Sequence, residues 1–135
     1  MKTGIIAGCF DVIHPGYMYM FSKSKQFCDY LIICLQTDPS IERPNKLRPV
    51  LSWQERYFIL SGIKYIDEIV SYTTEQELAN YLKKNTSHVR ILGEDYESKY
   101  ATGQEYSSEI IYIDRSHGWS TTKYKKLIAE SLKGE

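Results

Sequence analysis

With 135 residues, 42% hydrophobic and 25% charged, the chain has the apolar material for one domain around a single core, which excludes disordered and fibrous classes. Seventeen basic residues balance seventeen acidic ones, so no basic excess supports binding to nucleic acid. Met1–Ala7 is too short for a signal peptide and Tyr30–Leu35 too short for a membrane span, and three cysteines without a CxxC pair read as reduced thiols of a cytoplasmic protein with no membrane partner.

Thr3–Ala7 is apolar and glycine-bounded, the pattern of a buried strand. Gly8-Cys9-Phe10-Asp11-Val12-Ile13-His14-Pro15-Gly16-Tyr17 then breaks it into a turn, and Pro15 suits a first helical position, where no N–H donor is needed. A strand feeding such a turn and helix aims free backbone N–H groups and the positive helix end at one point, which is what a phosphate needs. His14, inside the turn, can donate to a phosphate oxygen or cap its own helix. Asp11 reads as an Asx residue that fixes the loop, a role compatible with supporting a site. Pro15–Phe27 places Met20, Phe21, Ser24 and Phe27 on one helical face.

Tyr30–Thr37 is almost continuously apolar, as in a central parallel strand covered on both faces. Asp38–Leu51 contains Pro39, Pro44 and Pro49 and is a loop too long for a bare connector; its Lys46 and Arg48 can close over a ligand. Ser52–Glu55 is a capping box that opens a helix running to about Lys64. After the strand Glu68–Tyr72, Thr74–Glu77 is a second capping box, and Leu78, Tyr81 and Leu82 share a face of its helix. His88–Leu92 reads as a strand ending at Gly93, Glu94–Ser108 as a polar loop, and Glu109–Ile113 as a fifth strand. The stretch Arg115–Lys123 repeats the anion-site layout: a glycine turn at Gly118 leads into a Ser/Thr-rich helix start at Ser120 and Thr121, with Arg115 able to clamp phosphate oxygens.

The alternation predicts an α/β fold, a single Rossmann-like doubly wound parallel sheet of about five strands with helices on both faces, occupying residues 1–135. The segments after the strands then share one rim, where ligands of such sheets bind. His14, His88 and His117 are too scattered to suggest a protein-held metal.

Gly8–Tyr17 resembles the GxFDxxHxGH signature, and Arg115–Thr122 the RTxGISTT motif, of the cytidylyltransferase-like nucleotidyltransferase family, glycerol-3-phosphate cytidylyltransferases in particular. Asp29-Tyr30-Leu31, Thr37-Asp38, Tyr65–Glu68 and Gly93–Tyr96 extend the resemblance over essentially the whole chain. The resemblance implies in-line attack by a substrate phosphate on the α-phosphorus of CTP with release of pyrophosphate, and Mg²⁺ carried by the triphosphate. It implies catalytic roles for His14, Lys46 and Arg115. Around the nucleotide it implies Gly8, Cys9, Phe10, His14, Gly16, Tyr17, Lys46, Arg115, Gly118, Ser120 and Thr121, with Gly93 and Asp95 bordering the base. Asp11 and Asp38 would face the acceptor, a small phosphate ester of glycerol, another polyol, a sugar or an amino-alcohol, and the protein would be a homodimer.

Two features depart from the family pattern. Tyr17 stands where the signature has its second histidine; a phenol donates one hydrogen bond and carries no positive charge at neutral pH. Loss of a charged donor at a transition-state phosphate costs on the order of 10²–10³ in rate, so a nucleotide-binding protein with weakened catalysis is an alternative reading. Pro44 stands near the position where the glycerol-phosphate enzymes use a lysine, and Asn45–Pro49 resembles the loop of sugar-phosphate nucleotidyltransferases of the heptose adenylyltransferase type. ATP with a sugar phosphate is therefore a second alternative.

Overall fold

The computed structural model describes residues 1–134. Five strands, β1 (Thr3–Gly8), β2 (Tyr30–Gln36), β3 (Glu68–Tyr72), β4 (His88–Gly93) and β5 (Glu109–Ile113), alternate with helices α1 (Pro15–Ser24), α2 (Pro39–Glu42), α3 (Trp53–Ser61), α4 (Glu75–Lys84) and α5 (Thr121–Lys133). All strand pairs are parallel, in the order β3-β2-β1-β4-β5. Alternate side chains along the central strands divide between two apolar layers. Ile6, Leu31, Ile33, Leu35, Val89 and Ile91 pack with Phe21 of α1 and Leu60 of α3. Ile5, Ile32, Cys34 and Tyr72 pack with Leu78 and Leu82 of α4. Each fully buried Leu or Ile in these layers stabilises the fold by roughly 1.5–3 kcal/mol.

The helix starts follow local chemistry. At α3 both halves of the capping box form, Glu55 N donating to Ser52 Oγ at 3.1 Å and Ser52 N to Glu55 Oε1 at 2.8 Å. At α4 the box is displaced: Glu77 N donates to Thr74 Oγ1 at 3.1 Å, whereas the Glu77 carboxylate accepts from Thr73 N instead of Thr74 N, at 2.7 Å. Several expectations need adjustment, among them the end of α3, at Ser61 instead of about Lys64. Helix α1 stops at Ser24, so Phe27 leaves the apolar face and is 39% exposed. The 38–51 loop contains α2, because Asp38 caps it and Pro39 opens it. The 94–108 segment contains 3-10 turns at Glu94–Ser98 and Gln104–Tyr106, the second entered through Gly103 at φ +74°, where a side chain would also strike Leu82.

The two edges of β1 are unequal. It pairs with β2 along six positions, Thr3↔Tyr30 to Gly8↔Leu35, but with β4 only at Thr3↔His88, Gly4↔Val89 and Ile5↔Arg90. Beyond Ile5 and Arg90 the two strands part at the point where the winding of the sheet reverses, and a crevice opens between their carboxyl ends. Among the described residues no helix is long and apolar enough to cross a membrane.

Candidate active site

A cavity of about 540 Å³ fills this crevice. Its walls come from the turn after β1, the start of α1, the ends of β3 and β4, the 94–102 segment and the entry to α5. Gly8, Cys9, Phe10, His14, Gly16, Tyr17, Gly93, Asp95, Arg115, Ser120 and Thr121 all lie on it, so two segments more than a hundred residues apart in the chain meet at one site.

The first turn is held in an unusual backbone shape. Phe10 has φ +51°, a left-handed conformation costly for a bulky residue and frequent at functional sites. Its ring is buried beneath the turn against Tyr17 and Phe21, with centroids 5.2 and 5.8 Å away, and a Cβ on Gly8 would press against that ring at 3.2 Å. His14 caps α1, its Nδ1 accepting from Gly16 N at 3.0 Å. An accepting Nδ1 requires the proton on Nε2, so the cap leaves Nε2–H as the ring's donor. Burial, and then the charges of Arg115 and His117, hold the His14 pKa below its ordinary value and keep the ring neutral. Gly16 is required because a Cβ there would come within 2.7 Å of the imidazole. Burial pushes the Cys9 thiol up, leaving it protonated and a poor nucleophile.

The second segment faces the first. Ser120 caps α5 by accepting from Lys123 N at 3.1 Å, and Gly118 makes the preceding turn at φ +78° without itself reaching the cavity wall. Tyr17 spans the gap: its hydroxyl lies 3.1 Å from Thr121 Oγ1, and its ring centroid 4.3 Å from that of His14. Burial pushes the Tyr17 phenol up, against the opposing Thr121 bond, so it stays protonated. Arg115 is oriented by Asp95, Nη1 to Oδ1 at 3.5 Å, and its backbone N donates to Glu94 Oε1 at 2.9 Å. Gly93 lets these chains close up, since a Cβ would meet Asp95 Oδ1 at 2.7 Å. His117 Nδ1 accepts from Trp119 N at 2.9 Å and its ring stacks on Trp119, which brings a second imidazole to the cavity from the α5 side.

Besides Gly118, three expected site residues lie off the wall. Asp11 is 4% exposed and its carboxylate accepts from Val50 N, Leu51 N and Lys125 Nζ at 2.8–2.9 Å. Burial opposes its ionisation, but the Leu51, Val50 and Lys125 bonds together hold its pKa below the usual carboxylate range. Its acceptors are thus spent on holding loops, and it positions the turn without facing an acceptor. Asp38 is likewise turned to its own helix, Oδ1 accepting from Ser40 N at 2.9 Å and Ser40 Oγ at 2.6 Å. Lys46 is exposed on the 38–51 loop and absent from the cavity wall, and Arg48 reaches only to 4.0 Å from Asp38.

Other residues do work that the motifs do not announce. Arg56 is 1% exposed and donates to five carbonyls: those of Leu51, Ser52, Cys9, Gln36 and Thr37. It ties the ends of β1 and β2 to the entry of α3. The signal was a charged residue one turn before Leu60 on the buried helix stripe. Arg43 pairs with Glu75, docking α2 on the start of α4 at the cavity edge. Arg90 interrupts the apolar run of β4 and lines the cavity floor.

A family model described as cytidylyltransferase-like matches residues 5–127. Glycerol-3-phosphate cytidylyltransferase of Bacillus subtilis is 31% identical over 129 residues, covering 96% of this chain and 98% of that protein. The bifunctional protein HldE of Helicobacter hepaticus is 34% identical over 125 residues, covering 92% of this chain but only 26% of its own length. The chain thus spans about a quarter of that relative and nearly all of the Bacillus one. Among solved structures, a lipopolysaccharide core biosynthesis protein from Thermoplasma volcanium GSS1 has the same fold, with TM-score 0.68 at 21% identity over 84% of this chain and 96% of that one.

Proposed function

The chain belongs to the cytidylyltransferase-like family, and from that membership we propose that it transfers the CMP group of CTP to a small phosphate ester and releases pyrophosphate. The observation that carries this reading is His14: its Nδ1 is committed to Gly16 N, so a neutral Nε2–H donor stands on the wall of the cavity between the two anion-binding segments. In the reaction an acceptor phosphate oxygen bonds to the α-phosphorus while the bond from that phosphorus to the pyrophosphate oxygen breaks in line. Negative charge grows on the transferring group, where His14 Nε2–H donates and Arg115, steadied by Asp95, adds a fixed positive charge. The α5 entry, with Ser120 and Thr121, offers further donors to the triphosphate. The Asp11 carboxylate is already spent on Val50, Leu51 and Lys125, so Mg²⁺ would ride on phosphate oxygens and neutralise the triphosphate. Family resemblance supports a homodimer, and the free cysteines a cytoplasmic one, as part of the same reading.

CTP rests on the match along nearly the whole length of the Bacillus enzyme, and a thermal-shift series with CTP, ATP, GTP and UTP in the presence of Mg²⁺ tests it. CTP is expected to give the largest shift, about 2.7 kcal/mol of stabilisation at a hundredfold excess over Kd. A larger shift with ATP overturns the base assignment and promotes an adenylyltransferase acting on a sugar phosphate. Pyrophosphate release over a panel of phosphate esters then reads turnover, which His14→Ala should lower by about 10²–10³-fold. An unchanged rate in that variant removes His14 from the chemistry.

A further inference from the structure

The cavity reaches down to the floor where β1 and β4 part. Arg90, the last β4 residue paired with β1, is there, 3% exposed and on the cavity wall. Nη1 donates to the Thr102 carbonyl at 2.6 Å, and Nε has no partner among the described residues. Among the described residues none of the seven ion pairs includes Arg90, and of the carboxylates on the same wall Glu75 is taken by Arg43, Asp95 by Arg115 and Asp114 by Ser116. A buried guanidinium without a counter-ion is unfavourable in the free protein. It stays charged even though burial lowers its pKa, since arginine does not deprotonate in proteins. The Tyr72 phenol is close enough to Arg90 for the two ionisations to influence each other, and it lines the same end of the cavity. Val89 and Ile91 belong to the layer against α1 and α3, so Arg90 between them faces the α4 side of the sheet, with Tyr72.

Resting on the nucleotidyl-transfer reading above, we propose that Arg90 is a specificity residue for the acceptor: it binds a second oxyanion, a carboxylate or a second phosphate, at the end of the ester remote from the attacking phosphate. The planar guanidinium fork suits either group, and a ligand that supplies the missing counter-charge gains from the low-dielectric floor. A neutral polyol end would leave the charge uncompensated.

Calorimetric titrations of the protein saturated with the αβ-methylene analogue of CTP and Mg²⁺ test this with three probes: glycerol 3-phosphate, 3-phosphoglycerate and 1,3-propanediol bisphosphate. The carboxylate or the bisphosphate probe is expected to bind at least about 10-fold more tightly than glycerol 3-phosphate, the scale of a charge-assisted pair; which of the two is favoured identifies the oxyanion. Arg90→Leu should erase the advantage and Arg90→Lys should keep part of it. Equal binding of the three probes, or a preference that survives Arg90→Leu, overturns the proposal. The melting temperature of the ligand-free variant reads the competing structural role: Arg90→Leu should hold or raise it, whereas a large fall with an unchanged probe preference makes Arg90 a prop for the Thr102 carbonyl. Repeating the titration without nucleotide separates this proposal from the one it rests on. Arg90-dependent binding of the two probes with a second oxyanion, with no response to the nucleotide analogue, sinks only the transfer reading. A nucleotide response with Arg90-independent probe binding sinks only this one.

Discussion

At Tyr17 the phenol does not simply occupy the space of an imidazole; it is hydrogen-bonded to Thr121 across the site while its ring packs on His14, Phe10 and Phe21. Tyr17→Phe should therefore free the Thr121 hydroxyl and lower kcat roughly fivefold, the scale of one neutral hydrogen bond, while Tyr17→His should change kcat little. Steady-state kinetics of the two variants checks this; if neither moves kcat or KM, Tyr17 is packing alone. The sequence offers His14 two roles, cap and donor, and the geometry makes them compatible, because the cap fixes which nitrogen is left to donate. Turn residues were legible this way because glycine, proline and histidine act through their own local chemistry. The partners of Asp11 were not, since Val50, Leu51 and Lys125 are 39, 40 and 114 positions away, and no local pattern encodes such distances.

Elements with a long repeat were readable and short ones were not. The five strands and the starts of α3, α4 and α5 carry alternation or caps over several residues. Helix α2 and the two 3-10 segments have fewer than two turns each, too short for a period to show inside polar stretches. The consequence for the site is that Arg43 and Glu75, which join α2 to α4 at the cavity edge, had no visible context, while Lys46 on the same loop looked like the closing cation. The loop that does meet the phosphate turn is fastened from below by Asp11. Asp11→Ala leaves the Val50 and Leu51 N–H groups without their acceptor and frees Lys125. It should cost about 2–6 kcal/mol of stability, measured by denaturant unfolding, at about 1–3 kcal/mol for each orphaned donor. A loss under about 0.5 kcal/mol would mean that water replaces the carboxylate and that the loops do not depend on it.

For the whole molecule, histidines set the pH response near neutrality. His14 and His88 both have pKa values held below the ordinary 6.5, each first by burial. The unfolded chain therefore gains protons near pH 6.5 that the folded chain refuses, so this stability is full above that value and is lost as pH falls below it, by at most about 1.4 kcal/mol per pH unit for each group. Melting temperatures between pH 8 and 5 should drop toward acid, and the curve should flatten in His14→Gln combined with His88→Gln; an unchanged slope in the double variant assigns the drop to other groups. The doubly wound order could be anticipated from strands alternating with helices, but the parting of β1 from β4 could not, because register between strands 85 residues apart has no local trace. That parting also bears on how the chain is made. Residues 1–72 hold β1, β2 and β3, and in them β1, one of the most apolar segments, is an edge strand with unpaired backbone groups on one side. Until His88–Gly93 emerges, another chain could add to that edge, and even then β4 covers only three of its positions. During synthesis the exposed flank of the future ligand crevice is thus the segment most in need of protection from aggregation.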